Sequence, residues 1–121
     1  MGMRLNSGVY VGTKGSVLSF VRFNSRQEAI SGEYNAPPKA TEQIRKFFRK
    51  STTNHHNDFR VTKNADNTYS AISDNPGKVP GSHAVYVKVV GKNGGLKSFY
   101  KTTYDNKGNF VHTKYKAGGK K

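Results

Sequence analysis

From Phe59 onward, apolar and polar residues alternate in short runs, and each run is ended by residues that turn a backbone. Asp58 to Lys63 and Thr68 to Ser73 flank Asn64-Ala-Asp-Asn67, while His83 to Val90 and Leu96 to Tyr104 flank Gly91-Lys-Asn-Gly-Gly95. Asn109 to Lys116 follows Asp105-Asn-Lys-Gly108, which fits a type I turn followed by a left-handed glycine. Between the second and third runs, Asp74-Asn-Pro-Gly-Lys-Val-Pro-Gly81 holds two prolines and two glycines and reads as a loop. A period of two, interrupted this often, restricts the region to an antiparallel meander, for which four strands are expected.

The earlier part of the chain has other periods. Val9-Tyr10-Val11 and Val17 to Phe23 are β-rich runs around Gly12-Thr-Lys-Gly15, a hairpin or a pair of extended segments. Ser25-Arg-Gln-Glu28 has the form of a capping box and opens a short helix, since Gly32 and Pro37-Pro38 follow. Pro38 suits a first helical position, and Ala40, Ile44, Phe47 and Phe48 then form one apolar stripe opposite Lys39, Arg45, Lys46, Arg49 and Lys50. The expected architecture is α+β, with N-terminal helical segments packed on one face of a four-stranded antiparallel β-meander. Residues 1–24 read as an N-terminal extension or linker that could belong to the domain, 25–116 as the domain, and 117–121 as a basic tail.

A chain of 121 residues is one small domain, and 33% hydrophobic content without Trp leaves a small core of Val, Ile, Leu, Phe and Tyr. The absence of Cys excludes disulfides, thiolate metal sites and a cysteine nucleophile. No apolar run approaches the roughly 20 residues of a membrane span, so no stable membrane insertion is expected. The first residues also lack the apolar stretch of a signal peptide, so export is expected within a larger chain or by another route.

The formal charge is +14, from 21 Lys and Arg against 7 Asp and Glu. Residues 1–36 hold 4 basic and 2 acidic residues, residues 37–60 hold 6 and 2, and residues 61–121 hold 11 and 3, so every part of the chain carries a basic excess. Charge of this size suits a polyanion, because each phosphate paired with Lys or Arg releases condensed counterions. RNA is the expected partner, ahead of an anionic membrane or an acidic protein.

Pairing Asp105 with Asn109 and Val90 with Leu96 sorts the strand residues into two faces. One carries His83, Val85, Val87, Val89, Phe99, Thr103 and Val111 with Lys101 among them, and is the expected seat of the helix. The other carries Tyr86, Lys88, Tyr100, Thr102, Tyr104, Phe110, His112 and Lys114, with Thr102 opposite His112. Aromatic rings offer stacking platforms for splayed bases, Lys contacts phosphates, and His exchanges protons near neutral pH. When the substrate's own 2′-hydroxyl is the nucleophile, RNA cleavage needs only a base, an acid and a cation, and no metal or other cofactor. His55-His56 reads as a polar loop, a metal-binding pair without a third spaced ligand, or a second catalytic histidine. His83 begins a strand at a loop edge, where catalytic groups are often placed. Gly91 to Gly95 lacks the Lys-Ser/Thr ending of a phosphate loop and reads as a turn.

The stretch His83-Ala-Val-Tyr-Val-Lys-Val-Val, followed by Tyr100-Lys-Thr-Thr-Tyr-Asp-Asn-Lys-Gly-Asn-Phe-Val-His112, resembles C-terminal toxin domains of bacterial polymorphic toxins, including contact-dependent inhibition effectors. The order of a basic helix and an antiparallel meander over residues 37–116 is similar to the ribonuclease superfamily of barnase, EndoU, tRNase colicins and RelE. The resemblance implies metal-independent RNA cleavage, often in tRNA, leaving a 2′,3′-cyclic phosphate. It also implies an acidic cognate immunity protein, and delivery as the C-terminal part of a larger toxin that acts in the target-cell cytoplasm. The superfamily's site lies on the open sheet face, which carries over onto Thr102, Tyr104 and His112, with His83 and Lys101 as motif members. The expected catalytic set is therefore His112, Thr102, Tyr104, His83, Lys101 and Lys88. Arg45, Lys46, Arg49, Tyr86, Tyr100 and Lys114 are expected to bind RNA, in a protein that is monomeric when free. A noncatalytic basic RNA-binding module is the alternative.

Overall fold

The computed structural model describes residues 17–51 and 58–118. Val17–Phe23 (β1) is followed by Arg26–Ser31 (α1) and Pro38–Arg49 (α2). Asp58–Asn64 (β2), Thr68–Pro76 (β3), His83–Gly91 (β4), Leu96–Tyr104 (β5) and Phe110–Gly118 (β6) then run in succession. All six strands form one sheet in chain order, and every neighbouring pair is antiparallel. The expected α+β fold with a four-stranded meander is thereby corrected. Among the described residues the chain is mostly β, with six strands, and two short helices connect β1 to β2.

The physical reason is that each alternating segment finds a partner. Val17–Phe23 pairs with β2 through Val21↔Val61 and Phe23↔Phe59, so it extends the sheet before either helix begins. The helices, of 6 and 12 residues, are too short to form a layer over six strands. At standard rise α2 is about 18 Å long, against about 24 Å across the sheet. The Val9-Tyr10-Val11 run, the Gly12-to-Gly15 turn and His55-His56 lie outside the described residues.

At the start of α1, the Glu28 N–H donates to Ser25 Oγ at 3.1 Å. The Glu28 carboxylate accepts from the Asn24 N–H at 3.1 Å, one residue earlier than a capping box requires. In α2, Pro38 occupies the first turn, and the stripe Ala40, Ile44, Phe47 and Phe48 is buried. These side chains cluster with Phe23, Phe59, Val61, Tyr69, Ala71 and Val90, which defines the helix side of the sheet. Phe48 is fully buried and meets Tyr34 and Phe59 edge-on. Truncating such a ring to Ala costs about 3–5 kcal/mol.

A second cluster, Ile72, Val85, Val87, Val89 and Tyr100, alternates with the first along the same strands and occupies the far side. Strand β3 is buried at every position from Thr68 to Asp74, so the sheet is covered on both faces there. The turns take the forms that their residues demand. Gly94, at φ 85, sits where a Cβ would come within 2.9 Å of the Lys39 carbonyl oxygen. The β5–β6 turn closes through Asp105 N–H to Asn109 O at 2.9 Å, with Gly108 at φ 86 in the left-handed region.

Candidate nucleic-acid interface

Bulges just beyond the β4–β5 and β5–β6 turns decide which side chains share a surface. Val90 pairs with Leu96 as the turn dictates, but the next pair is Val89↔Ser98, so β4–β5 carries one extra residue on β5. Tyr104 pairs with Phe110, but the next pair is Thr103↔His112, so an extra residue, Val111, enters β6 here, and a further one, Lys116, enters between the Tyr100↔Tyr115 and Phe99↔Ala117 pairs. One added residue sends every side chain beyond it to the other face. The face assignment made from the turns alone is corrected for β5, which is reversed relative to β4 and β6. The helix packs on the Tyr86 face and not on the expected Val85, Val87 and Val89 face, because Phe59, Val61, Tyr69 and Ala71 offer their apolar side chains there. Tyr86, Lys88, Phe99, Lys101, Thr103, His112 and Lys114 lie on the helix side. His83, Val85, Val87, Tyr100, Thr102 and Tyr104 lie on the far side, and Thr102 faces Thr113, not His112.

On the helix side, a cleft of about 450 Å³ opens between the C-terminal half of α2 and strands β3 to β5. Lys46, Lys50 and Lys88 line it together with Phe47, Tyr86 and Phe99. The Lys88 ammonium is half-buried and reaches Gln43 Oε1 at 3.4 Å. Burial holds its pKa below the ordinary lysine value, and the charges of Lys50 and Lys46 push it in the same direction. Tyr86 borders this cleft and also a second one of about 490 Å³, lined by His83, Lys101, Thr103, Tyr104 and the Pro76–Val79 loop. The ammonium groups of Lys101 and Lys116 lie 5.8 and 5.9 Å from the centre of the Tyr86 ring. The tyrosine therefore forms an aromatic wall flanked by cations, between two adjoining clefts.

His83 is held at the edge of the second cleft by a buried carboxylate. Its Nδ1 lies 2.9 Å from Asp74 Oδ1, with the imidazole half-exposed and the Asp74 side chain only 10% exposed. A carboxylate accepts, so the imidazole donates in this contact through its Nδ1–H. Burial pushes the Asp74 carboxyl above the usual range; the hydrogen bond and charge of His83 oppose the shift, and the Asp58 carboxylate adds to it. Asp58 is itself bound by Arg60 Nη2 at 2.7 Å and Arg22 Nε at 2.9 Å. Tyr104, opposite His83 in the β4–β5 register, has its hydroxyl pKa raised by burial and by the charge of Asp74. Deeper on the same side, Thr102 Oγ1 and Thr113 Oγ1 share a hydrogen bond at 3.0 Å, and Tyr100 stacks near Tyr115 at 5.3 Å. The buried Tyr100 hydroxyl has no hydrogen-bond partner among the described residues.

The sequence-derived set is thus divided. His83, Thr102, Tyr104 and Tyr100 come together on the far side. Lys46, Tyr86 and Lys88 share the cleft beneath α2, and Lys101 and Lys114 pair on the same side of the sheet, with exposed His112 opposite Thr103 on that side too. Arg45 is occupied within the fold: Nε donates to Ile30 O at 2.7 Å, Nη2 donates to Gly32 O at 3.0 Å, and the guanidinium lies over Tyr34. Arg49 stays exposed at the end of α2. Sequence reasoning missed Asp74, Gln43, Lys50 and Lys116. The alternation of Lys88 with Tyr86 was a signal for the cleft, whereas nothing local linked Asp74 to His83.

Among the described residues, no three His, Cys, Asp or Glu side chains are grouped so as to hold a metal ion, and no helix is long and apolar enough to cross a membrane. No family model, curated protein or solved structure matches the chain.

Proposed function

We propose that this domain binds RNA along the two clefts that adjoin at Tyr86 and cleaves it without a metal, as the toxic portion of a larger bacterial effector. The observation that carries the reading is His83, half-exposed and oriented by buried Asp74, at the end of a groove lined by Lys and Tyr. In the step proposed, His83 Nε2 takes the proton of a ribose 2′-hydroxyl, and that oxygen attacks the adjacent phosphorus. The bond from phosphorus to the 5′-oxygen breaks, and a 2′,3′-cyclic phosphate is left. The Tyr104 hydroxyl, on the same side of the sheet as His83 and in the lining of the same cleft, returns a proton to the departing 5′-oxygen. Lys101, which borders that cleft from the helix side, raises its positive potential. tRNA is the substrate proposed, and an acidic immunity protein the partner that covers the basic groove in the producing cell.

A second reading, a noncatalytic RNA-binding module, is favoured by one feature. His112 projects to the opposite side of the sheet from His83, so the two imidazoles do not face one cleft. Incubation of the purified domain with total RNA and excess chelator, followed by end-group analysis, separates the readings. Discrete fragments ending in cyclic phosphate support cleavage, and intact but tightly bound RNA supports the binding module.

A further inference from the structure

The cleft beneath α2 has features that phosphate contact alone does not require. Its cations, Lys46, Lys50 and Lys88, converge on one opening, whereas backbone docking could be served by lysines scattered over the surface. Its walls include the rings of Phe99 and Tyr86, which are half-buried and so leave aromatic surface exposed to the cavity. Within it, the Ser73 hydroxyl donates to Asn75 Oδ1 at 2.9 Å. That bond occupies the amide oxygen and sets the orientation of the amide, whose remaining polar atom is the donor Nδ2. A volume of about 450 Å³ falls within the roughly 300–1,000 Å³ of small-ligand sites.

We infer that this cleft is a subsite for a single nucleotide, with the phosphate on Lys88, Lys46 and Lys50, the base against Phe99 and Tyr86, and the Asn75 amide donating to an acceptor on the base edge. The chemistry selects an anion joined to a planar ring with exposed acceptors. Inorganic phosphate satisfies only the lysines, and a nucleoside only the rings and the amide. The inference rests on the RNA reading for its source: the nucleotide is one unit of a single strand whose neighbouring unit passes over Tyr86 toward His83. A base paired in a duplex could not enter, so unpaired segments are the RNA class recognised.

The test is titration of the full chain at low salt with each of the four nucleoside 5′-monophosphates, with inorganic phosphate, with the matching nucleosides, and with single-stranded trinucleotides, followed by amide chemical shifts. The expected result is saturable shifts at Gln43, Asn75, Tyr86, Lys88 and Phe99, with mononucleotides binding at least tenfold more tightly than phosphate or nucleoside, and trinucleotides more tightly still. Lys88→Gln should weaken nucleotide binding about tenfold and nucleoside binding little. Lys46→Gln, at an exposed position, should do the same to a smaller degree and serves if the first variant does not fold. Equal binding of phosphate and nucleotide, or shifts elsewhere only, overturns the nucleotide subsite. Tighter binding of mononucleotide than of trinucleotide overturns the assignment to a strand. Nucleotide binding here without RNA cleavage removes the nuclease reading alone, whereas cleavage with no nucleotide shift in this cleft removes the subsite alone.

Discussion

Asp74 and His83 form a diagonal pair across β3 and β4: the register sets Asp74 against Val85 and His83 against Pro76, yet Oδ1 and Nδ1 approach to 2.9 Å. The carboxylate is buried and the imidazole half-exposed, so the acid fixes the ring while the ring meets solvent. His83→Ala is expected to lower RNA turnover by about 10²–10⁴-fold while RNA affinity changes less than about threefold, as general acid–base loss requires. Asp74→Asn should lower turnover as well, because the amide can present its N–H to Nδ1 and favour the wrong tautomer. Single-turnover cleavage and filter binding on the same preparations check both. Unchanged turnover in His83→Ala would sink this assignment.

The same carboxylate has a signature in stability. Its folded pKa is raised above 3.8, so the native state holds this proton more tightly than the unfolded chain. The contribution of Asp74 to stability is fully present below its unfolded pKa and is lost as pH rises from about 3.8 through the folded value. Asp74→Asn abolishes that loss, and the stability difference between variant and parent should move in the variant's favour over this window. Urea unfolding at a series of pH values from 3 to 7 measures it, and parallel curves for the two proteins would contradict the prediction.

Arg45 and the cleft lysines should behave oppositely. Arg45 bridges α2 to the carbonyls of Ile30 and Gly32, so Arg45→Ala is expected to lower stability by about 2 kcal/mol and leave the salt dependence of RNA binding unchanged. Lys46→Ala, Lys50→Ala and Lys101→Ala should leave stability within about 0.5 kcal/mol. Each should reduce the slope of log affinity against log salt by about one, provided each contacts a phosphate. Binding titrations between 50 and 200 mM salt, with thermal melts alongside, discriminate the two behaviours.

Asn64 is a fully buried polar centre in the β2–β3 turn. Its Oδ1 accepts from Thr62 Oγ1 at 3.0 Å, and its Nδ2 donates to Thr68 Oγ1 at 3.0 Å and Ser70 Oγ at 2.9 Å. Asn64→Ala leaves three buried hydroxyls without this partner and should cost about 2–4 kcal/mol in urea unfolding. Asn67, three residues on, has φ 68 and an exposed side chain, so Asn67→Gly should be nearly neutral. A similar effect from the two substitutions would show that the buried network contributes little.

Local chemistry made much of the chain legible. The Pro38 start and the Ala40, Ile44, Phe47, Phe48 stripe appear where the 3.6-residue period puts them, and Asp105 to Gly108 forms its expected turn. The Val90↔Leu96 and Tyr104↔Phe110 pairs also agree with turn geometry. Turn residues act through their own φ and ψ, and a helix stripe acts through one buried face, so both are written within a few residues. The strand count was less legible. Val17–Phe23 looked extended, but only its pairing with β2 makes it part of the sheet.

What the sequence by itself determined is the alternation, the turns, the α2 stripe and a +14 charge that suits a polyanion. The tertiary structure alone decided which residues meet. One bulged residue beyond each of two correctly read turns reversed β5 relative to both of its neighbours, parting Thr102 from His112 and bringing Lys101 to the side of Tyr86 and Lys88. It also brought Asp74 to His83 across a proline-containing loop. The reason is that side-chain direction in a strand has a period of two, so a single inserted residue inverts every assignment downstream. The energy that favours such a bulge comes from packing against neighbouring strands, which no local run of residues specifies.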